Sequence, residues 1–356
     1  MGFAIGDKPV GDGHRPLIVA EMSGNHNRSL ERAMMIVRAA AENGADAIKL
    51  QTFTAATLTL DSRRGEFFID EPGGLWHGQR LWELYDKAHT PWEWHEPLFT
   101  SARSLGLACI STAYDLTSLD FLLTLGVDAI KIASFELIHL PLVEAATRSG
   151  KPILLSTGMA TLNELDEAVA TLRNGAAERH VLLKCTSAYP SQEADANILA
   201  MVDMRRRYGS EVGLSDHNLR PYSAFAAAAL GAAVIEKHVT LARADGGIDA
   251  AFSIEPPELR ALADGARLVW ESLGEVRYGP LVREAASLRE RPSIFVTEAM
   301  RRGEAFSAHN IRVVRPAGGL APKHYHTLIG RCSACDIPAA TPLSWDRVAG
   351  GAPDDA

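Results

Sequence analysis

Seven glycines, at positions 44, 106, 126, 150, 175, 209 and 231, each close a stretch of helical periodicity and stand a few residues ahead of a short apolar run. Glycine just past a helix end takes the left-handed turn that a side chain resists, so the spacing predicts helix C-caps leading into strands. The runs are AIKLQTF (47–53), LACISTA (107–113), DAIKIAS (128–134), PILLSTG (152–158), HVLLKCT (180–186), EVGLSDH (211–217) and AAVIEKH (232–238), with PLIVAEMS (16–23) ahead of them. Near-continuous apolar strands are buried on both faces, as in parallel sheets. Helical signals fill the intervals: Thr161 and Glu164 form a capping-box pattern ahead of Leu165, Val169 and Leu172, and Pro141 and Pro221 stand where first turns should begin. Eight strand–helix units over about 270 residues predict an α/β chain of the (β/α)8 TIM-barrel type, whose usual size is about 250 residues. A doubly wound sheet is the competing architecture, but its GxGxxG turn is missing.

Two segments fall outside the repeat. Residues 54–90 form a long insertion holding Trp76 and Trp82, and loops of that length more often carry function than not. Past the charged stretch LVREAASLRERPS, the pattern turns to short runs broken by Gly and Pro, which predicts a small β-rich module. The expected organisation is a catalytic barrel over 1–280, a linker over 281–290 and the module over 291–350, with GGAPDDA as a disordered tail. The TPWEW stretch reads as a helix start with Thr90 as N-cap, Pro91 at N1 and Glu93 at N3.

Net charge is −8 and no block of Lys or Arg occurs, which argues against a nucleic-acid partner. No run of 18 apolar residues occurs, and the N-terminus lacks a basic segment followed by an apolar one, so no membrane association is expected and the cytoplasm is the expected compartment. Four scattered cysteines are too few for a disulfide framework, and Cys332-x-x-Cys335 lacks the second pair of a zinc site.

Active sites of such barrels lie at the C-terminal mouths of the strands. The polar residues there are Glu21, Ser23, Asn25 and His26; Lys49 and Gln51; Ser111 and Thr112; Lys131 and Ser134, with Glu136 just beyond; Ser156 and Thr157; Lys184, Thr186, Ser187 and Tyr189; Ser215, Asp216 and His217; and Glu236, Lys237 and His238. Lys49 and Lys131 lie inside apolar runs, where an unpaired ammonium is costly to bury. Either a bound anion, cradled also by Thr112, Ser134, Ser156 and Ser215, or pairing with Glu21 or Glu236 would offset that cost. His217 and His238 close neighbouring strands and can share a metal ion, for which neutral imidazole suits Mn, Fe, Co or Zn, with positions left open for water and substrate. Glu21 and Asp249 are further shell or base candidates, against ordinary roles in capping or as surface charge. A metallohydrolase of the amidohydrolase type would want H-x-H on the first strand, which IVAEMSGN lacks, and a silent sugar-phosphate-binding barrel would have no use for both histidines.

In order, AEMSGNHN, AIKLQTF, DAIKIASFE, LLSTGMA, LKCTSAYP, GLSDH and EKHVT resemble the sialic acid synthase family of phosphoenolpyruvate-condensing enzymes. The segment from about 291, with NIRVVRPAGG, resembles that family's C-terminal antifreeze-like (SAF) domain. Within the family, residues 74–99 are similar to the pseudaminic acid synthase branch, and Ser187 departs from the Asn usual in the neuraminate enzymes. The resemblance implies condensation of phosphoenolpyruvate with an acetamido-deoxy hexose, 2,4-diacetamido-2,4,6-trideoxy-L-altrose in that branch, N-acetylneuraminate or legionaminate synthesis being the alternatives. It implies that Lys49, Thr112, Lys131, Ser134, Ser156, Ser187 and Ser215 hold phosphoenolpyruvate and that His217 and His238 hold a divalent metal, manganese first, with magnesium or cobalt as substitutes. Gln51, Glu136, Tyr189 and Asp249 would face the sugar, and Glu21 would handle a proton. Arg315 would reach from the antifreeze-like domain of one subunit into the barrel of a second, making a homodimer with shared sites.

Overall fold

The computed structural model describes residues 2–175 and 178–353. The chain begins with an antiparallel hairpin, β1 (Phe3–Ile5) with β2 (Lys8–Val10). Eight parallel strands then close into a barrel in chain order: β3 (Leu17–Glu21), β4 (Ala47–Thr52), β5 (Ala108–Ala113), β6 (Ala129–Ile132), β7 (Ile153–Ser156), β8 (His180–Cys185), β9 (Glu211–Asp216) and β10 (Val234–His238), the last pairing with the first. Every strand lies within one of the eight expected runs, so the barrel fold read from the sequence is the one observed.

Alternation along the strands sorts side chains into two layers. Ile18, Ile48, Cys109, Ile130, Ile153, Leu182, Val212 and Ile235 face outward into the core shared with the helices. Leu17, Val19, Ala47, Ile110, Leu154, Val181, Leu183 and Val234 face inward and form a second apolar cluster with Ile5 and Val10 of the hairpin. The hairpin therefore packs onto the N-terminal end of the barrel interior. Two three-residue strands carry no readable periodicity, and the sequence reading did not anticipate them.

Six of the seven repeat glycines adopt φ between +58° and +86°, as helix-ending turns require. Gly175 differs, with φ of −82° at the end of the helix Leu162–Asn174. A Cβ there would fall on the Thr147 hydroxyl of the helix Leu140–Arg148, so close helix packing, and not backbone conformation, calls for glycine. The capping box of Thr161 and Glu164 forms as expected. Thr90 does not cap: Pro91 precedes the 3-10 turn Trp92–Trp94, and the buried Thr90 hydroxyl lies 3.3 Å from His26 Nε2. A histidine buried nearby thus outcompetes the local capping pattern.

The chain divides into two compact units, Met1–Gly274 and Glu275–Ala356. The first ends with the helix Pro256–Leu273, so the division falls ahead of the expected position 280. In the second, β11 (Ser293–Val296) pairs antiparallel with β12 (Ile311–Val314) and β13 (Thr341–Pro342), around a small core of Ile294, Val296, Met300, Phe306, Ile311, Leu328, Ile337, Leu343 and Val348. Of the tail expected to lack structure, residues 354–356 lie outside the described residues, while Arg331 Nη2 donates to the Gly351 carbonyl at 2.8 Å. Cys332 and Cys335 are exposed free thiols. Among the described residues no helix is long and apolar enough to cross a membrane.

Candidate active site

The inward alternation that begins with Leu17 and Val19 ends on Glu21, and the other strands repeat the pattern: an apolar residue low in the barrel, a polar one at the mouth. Strand register sets Glu21 opposite both Lys49 and His238, Thr112 opposite Lys131, and Ser215 opposite Cys185 and Glu236. Lys49 Nζ lies 2.9 Å from Glu21 Oε2 and 3.3 Å from Glu236 Oε1, and donates to Thr112 Oγ1 at 3.3 Å. Lys131 Nζ lies 3.6 Å from Glu236 Oε1 and donates to Ser156 Oγ, while Ser215 Oγ donates to Glu236 Oε1 at 2.9 Å. All four charged residues are at most 4% exposed. The pairing with Glu21 and Glu236, one of the two readings left open by the sequence, is thus present.

That pairing is incomplete. Both Glu21 carboxylate oxygens and Glu236 Oε2 are buried without a hydrogen bond. Buried polar atoms are rarely left so, and an under-satisfied ionic cluster at a barrel mouth is where a polar ligand would find partners. Burial pushes the Glu21 carboxyl up, against Lys49, with Glu236 adding to the rise. Glu236 goes the other way: against burial, Lys131 and Lys49 hold it down to about 2. Burial lowers Lys131, whereas for Lys49 burial is outweighed by Glu21 and Glu236, which keep its ammonium charged.

His217 and His238 stand beside this cluster with ring centroids 5.3 Å apart. His217 Nδ1 is 2.9 Å from the Thr186 carbonyl; burial works against its charged form while Cys185 and that carbonyl raise its pKa, and in the neutral form a donor at Nδ1 leaves the Nε2 lone pair free. His238 Nδ1 is buried without a hydrogen bond, 3.7 Å from Asp249 Oδ2, and Asp249 in turn accepts from Ser23 Oγ. Burial first, then His217 and Lys49, keep His238 neutral, the form that ligates metals. Among the described residues no three His, Cys, Asp or Glu side chains gather into a ready-made metal cage. Two adjacent imidazoles, one with an orphaned nitrogen, beside carboxylates that are not fully hydrogen-bonded nonetheless fit a divalent ion whose remaining positions go to water or substrate.

The remaining expected residues are placed as follows. Ser134 Oγ accepts from the Gly158 amide at 3.1 Å, and Ser134 and Ser187 hydroxyls together fill the space a Cβ on Gly158 would take, so glycine there lets three polar groups converge. Glu136, in the turn Ser134–Glu136, has one unpartnered buried oxygen, and burial raises its carboxyl to about 7. Gln51 is half-buried on β4, and Tyr189 lies 4.6 Å from His217 by ring centroids. Asp249 is buried, which removes the surface-charge reading. Arg315 is exposed just past β12, in the second unit.

Four mouth residues turn outward. Ser111 bonds Thr52 at 2.7 Å, Lys184 reaches the Cys185 carbonyl at 2.7 Å, and Lys237 pairs with Asp216 at 2.9 Å in the barrel wall. The sequence reading missed Cys185, whose thiol lies 3.9 Å from Ser187 Oγ and 4.0 Å from His217 Nδ1; against burial, His217 lowers it to about 6. Its inward parity with Leu183 was the available signal.

A model of the NeuB family matches residues 36–278, and one of the SAF domain matches residues 291–349. The chain belongs to the NeuB family. A pseudaminic acid synthase of Helicobacter pylori is 41% identical over 94% of this chain and 98% of its own length. An N,N'-diacetyllegionaminic acid synthase of Legionella pneumophila is 33% identical over 96% of this chain and 97% of its own length. The crystal structure of an N-acetylneuraminic acid synthetase from Leptospira borgpetersenii superposes with a TM-score of 0.71 at 29% identity, covering 81% of this chain and 95% of that one. Within the NeuB family, the pseudaminic acid synthase branch read from residues 74–99 is the one these relatives support.

Proposed function

We propose that this NeuB-family chain is a pseudaminic acid synthase: a metal-dependent transferase condensing phosphoenolpyruvate with 2,4-diacetamido-2,4,6-trideoxy-L-altrose and water to give a nonulosonic acid and phosphate. The observation that carries the reading is the under-satisfied ionic cluster of Lys49, Lys131, Glu21 and Glu236 set directly beside His217 and His238. The greater similarity to a pseudaminic than to a legionaminic acid synthase favours this sugar.

Lys49 and Lys131, with Thr112, Ser134, Ser156, Ser187 and Ser215, would hold the phosphate and carboxylate of phosphoenolpyruvate by charge-assisted hydrogen bonds. C3 of phosphoenolpyruvate forms a bond to the aldehyde carbon, water adds at C2, and phosphate leaves. A divalent ion held by His217 and His238, manganese first and magnesium or cobalt as substitutes, would supply Lewis-acid polarisation of the aldehyde. Positive charge developing at C2 and negative charge on the aldehyde oxygen are then met by fixed groups in a site largely closed to water. Holding two reactants in register contributes up to roughly 7–11 kcal/mol. Glu21 would move a proton, a role its pairing with Lys49 and its register with His238 support. Gln51, Glu136, Tyr189 and Asp249 would orient the sugar.

Exposed apolar side chains support a second copy at the mouth: Phe135, Ile138, Met159, Leu162 and Tyr222 all follow the C-terminal ends of barrel strands. A homodimer in which Arg315 of a second copy completes each site would cover them. Phosphoenolpyruvate is a cytoplasmic metabolite, which supports the cytoplasm as the compartment.

The deciding experiment mixes the enzyme with phosphoenolpyruvate and a panel of 2,4-diacetamido and 2-acetamido hexoses, and reads phosphate release and product mass. The trideoxy sugar should be preferred, chelation should abolish turnover and manganese restore it. Preference for N-acetylmannosamine would move the chain to neuraminate synthesis, and full activity after exhaustive metal removal would remove the metal. Mixing His217→Ala and Arg315→Ala chains should regenerate activity if sites are shared.

A further inference from the structure

Three aromatic side chains from three separate segments meet over the histidine pair. Trp76, from the insertion after β4, lies 5.7 Å from Tyr189 and 6.3 Å from Phe252 by ring centroids. Phe252, from the turn Ala250–Phe252 after β10, lies 5.0 Å from His238 and 6.0 Å from His217, and Tyr189 and Phe252 are 5.1 Å apart. The Trp76 Nε1–H donates to the Ile248 carbonyl at 3.3 Å. Its polar edge is thereby used, and what the indole offers a ligand is carbon and π surface. Phe252, only 2% exposed, backs that face. The bond to Ile248 also ties Trp76 to the residue preceding Asp249.

An apolar wall beside a polar catalytic centre sorts substrates by their own apolar groups. Methyl groups pack against aromatic faces, whereas a hydroxyl placed there gives up its water without gaining a partner. We propose that Trp76 is a specificity-determining residue, favouring aldehydes that carry a methyl where a hydroxymethyl could stand. The inference rests on the condensation proposed above and assigns one of its selectivities to one side chain. It also gives the insertion a purpose: the segment brings an aromatic face to the mouth that the barrel strands do not supply.

The test uses two aldehydes that differ at one position, 2,4-diacetamido-2,4,6-trideoxy-L-altrose and its 6-hydroxy counterpart. The wild-type enzyme should prefer the deoxy sugar in kcat/KM by about ten- to two-hundredfold, the range one hydrophobic contact supports. Trp76→Ala should flatten that ratio by raising KM for the deoxy sugar, leaving the KM for phosphoenolpyruvate and its thermal stabilisation of the protein unchanged. Trp76→Phe should keep most of the preference. An undiminished ratio in Trp76→Ala, or equal losses with both sugars, overturns the role of Trp76 while leaving the condensation standing. A wild-type enzyme that releases phosphate with neither aldehyde, though folded and metal-loaded, overturns the condensation and this inference with it.

Discussion

Lys237 and Lys49 are both lysines buried in apolar strands of one barrel, and their surroundings part company. Lys237 faces out of β10, with its ammonium 2.9 Å from Asp216 Oδ2 and donating to the Asn218 carbonyl. Asp216 also accepts from the Asn218 amide at 3.0 Å and the Ser223 hydroxyl at 3.1 Å. Lys49 faces inward, and both oxygens of its partner Glu21 go without hydrogen bonds. The outer pair is complete within the protein and locks the ends of β9 and β10, the strands that lead into His217 and His238. The inner cluster leaves hydrogen-bonding capacity on Glu21 and Glu236 that a polar ligand could use.

The comparison is sharpest in the variants of the lysines themselves. Lys49→Ala and Lys131→Ala should each lower kcat/KM for phosphoenolpyruvate by on the order of a hundredfold, corresponding to about 2–5 kcal/mol for a buried charge-assisted contact. Their thermal unfolding should fall less than that of a Lys237 variant, because the remaining lysine still faces Glu236, and Glu21, already raised by burial, can take up a proton. Calorimetry alongside steady-state kinetics checks both halves, and a folded, kinetically normal variant would break the distinction.

Lys237→Met should do the reverse. Leaving Asp216 buried without its partner should cost about 3–5 kcal/mol of stability in chemical denaturation, while the fraction that remains folded retains most of its phosphoenolpyruvate affinity. A smaller effect is expected from Glu136, whose carboxyl faces Lys131, Tyr85 and Tyr114. Its acidity changes from an ordinary 4.5 to about 7 on folding, so across that window the folded chain holds the proton more tightly. Stability from this group therefore falls as pH rises from about 4.5 to about 7, and is level above. The melting temperature of wild type relative to Glu136→Gln should decline over that interval; a constant difference would show that Glu136 titrates normally.

The barrel was legible because eight apolar runs and their preceding glycines repeat a simple rule, and the mouth residues because parity then fixes which of them point inward. Parity also tells Lys49 and Lys131 from Lys184 and Lys237, although a plain survey of strand ends put all four together. What parity cannot reach is partnership. Glu236 was a partner the sequence offered only as an alternative to a bound anion, with nothing in VIEKH to say that it bridges both lysines, and nothing in GLWHGQ indicates that Trp76 would meet Phe252, more than 170 residues later. Thr90 shows the opposite failure: a good local capping pattern gives way to a buried histidine distant in sequence.

The N-terminal hairpin has a kinetic consequence. Ile5 and Val10 join the apolar layer that fills the lower end of the barrel, so whatever binds the polar cluster reaches it by one door, the mouth. Traffic through one door is sequential. On the condensation proposed above, the anion beside Lys49 and Lys131 would arrive before the aldehyde, and inorganic phosphate would leave after the sugar product. A barrel filled at its lower end would thus favour an ordered mechanism without any moving part to enforce it.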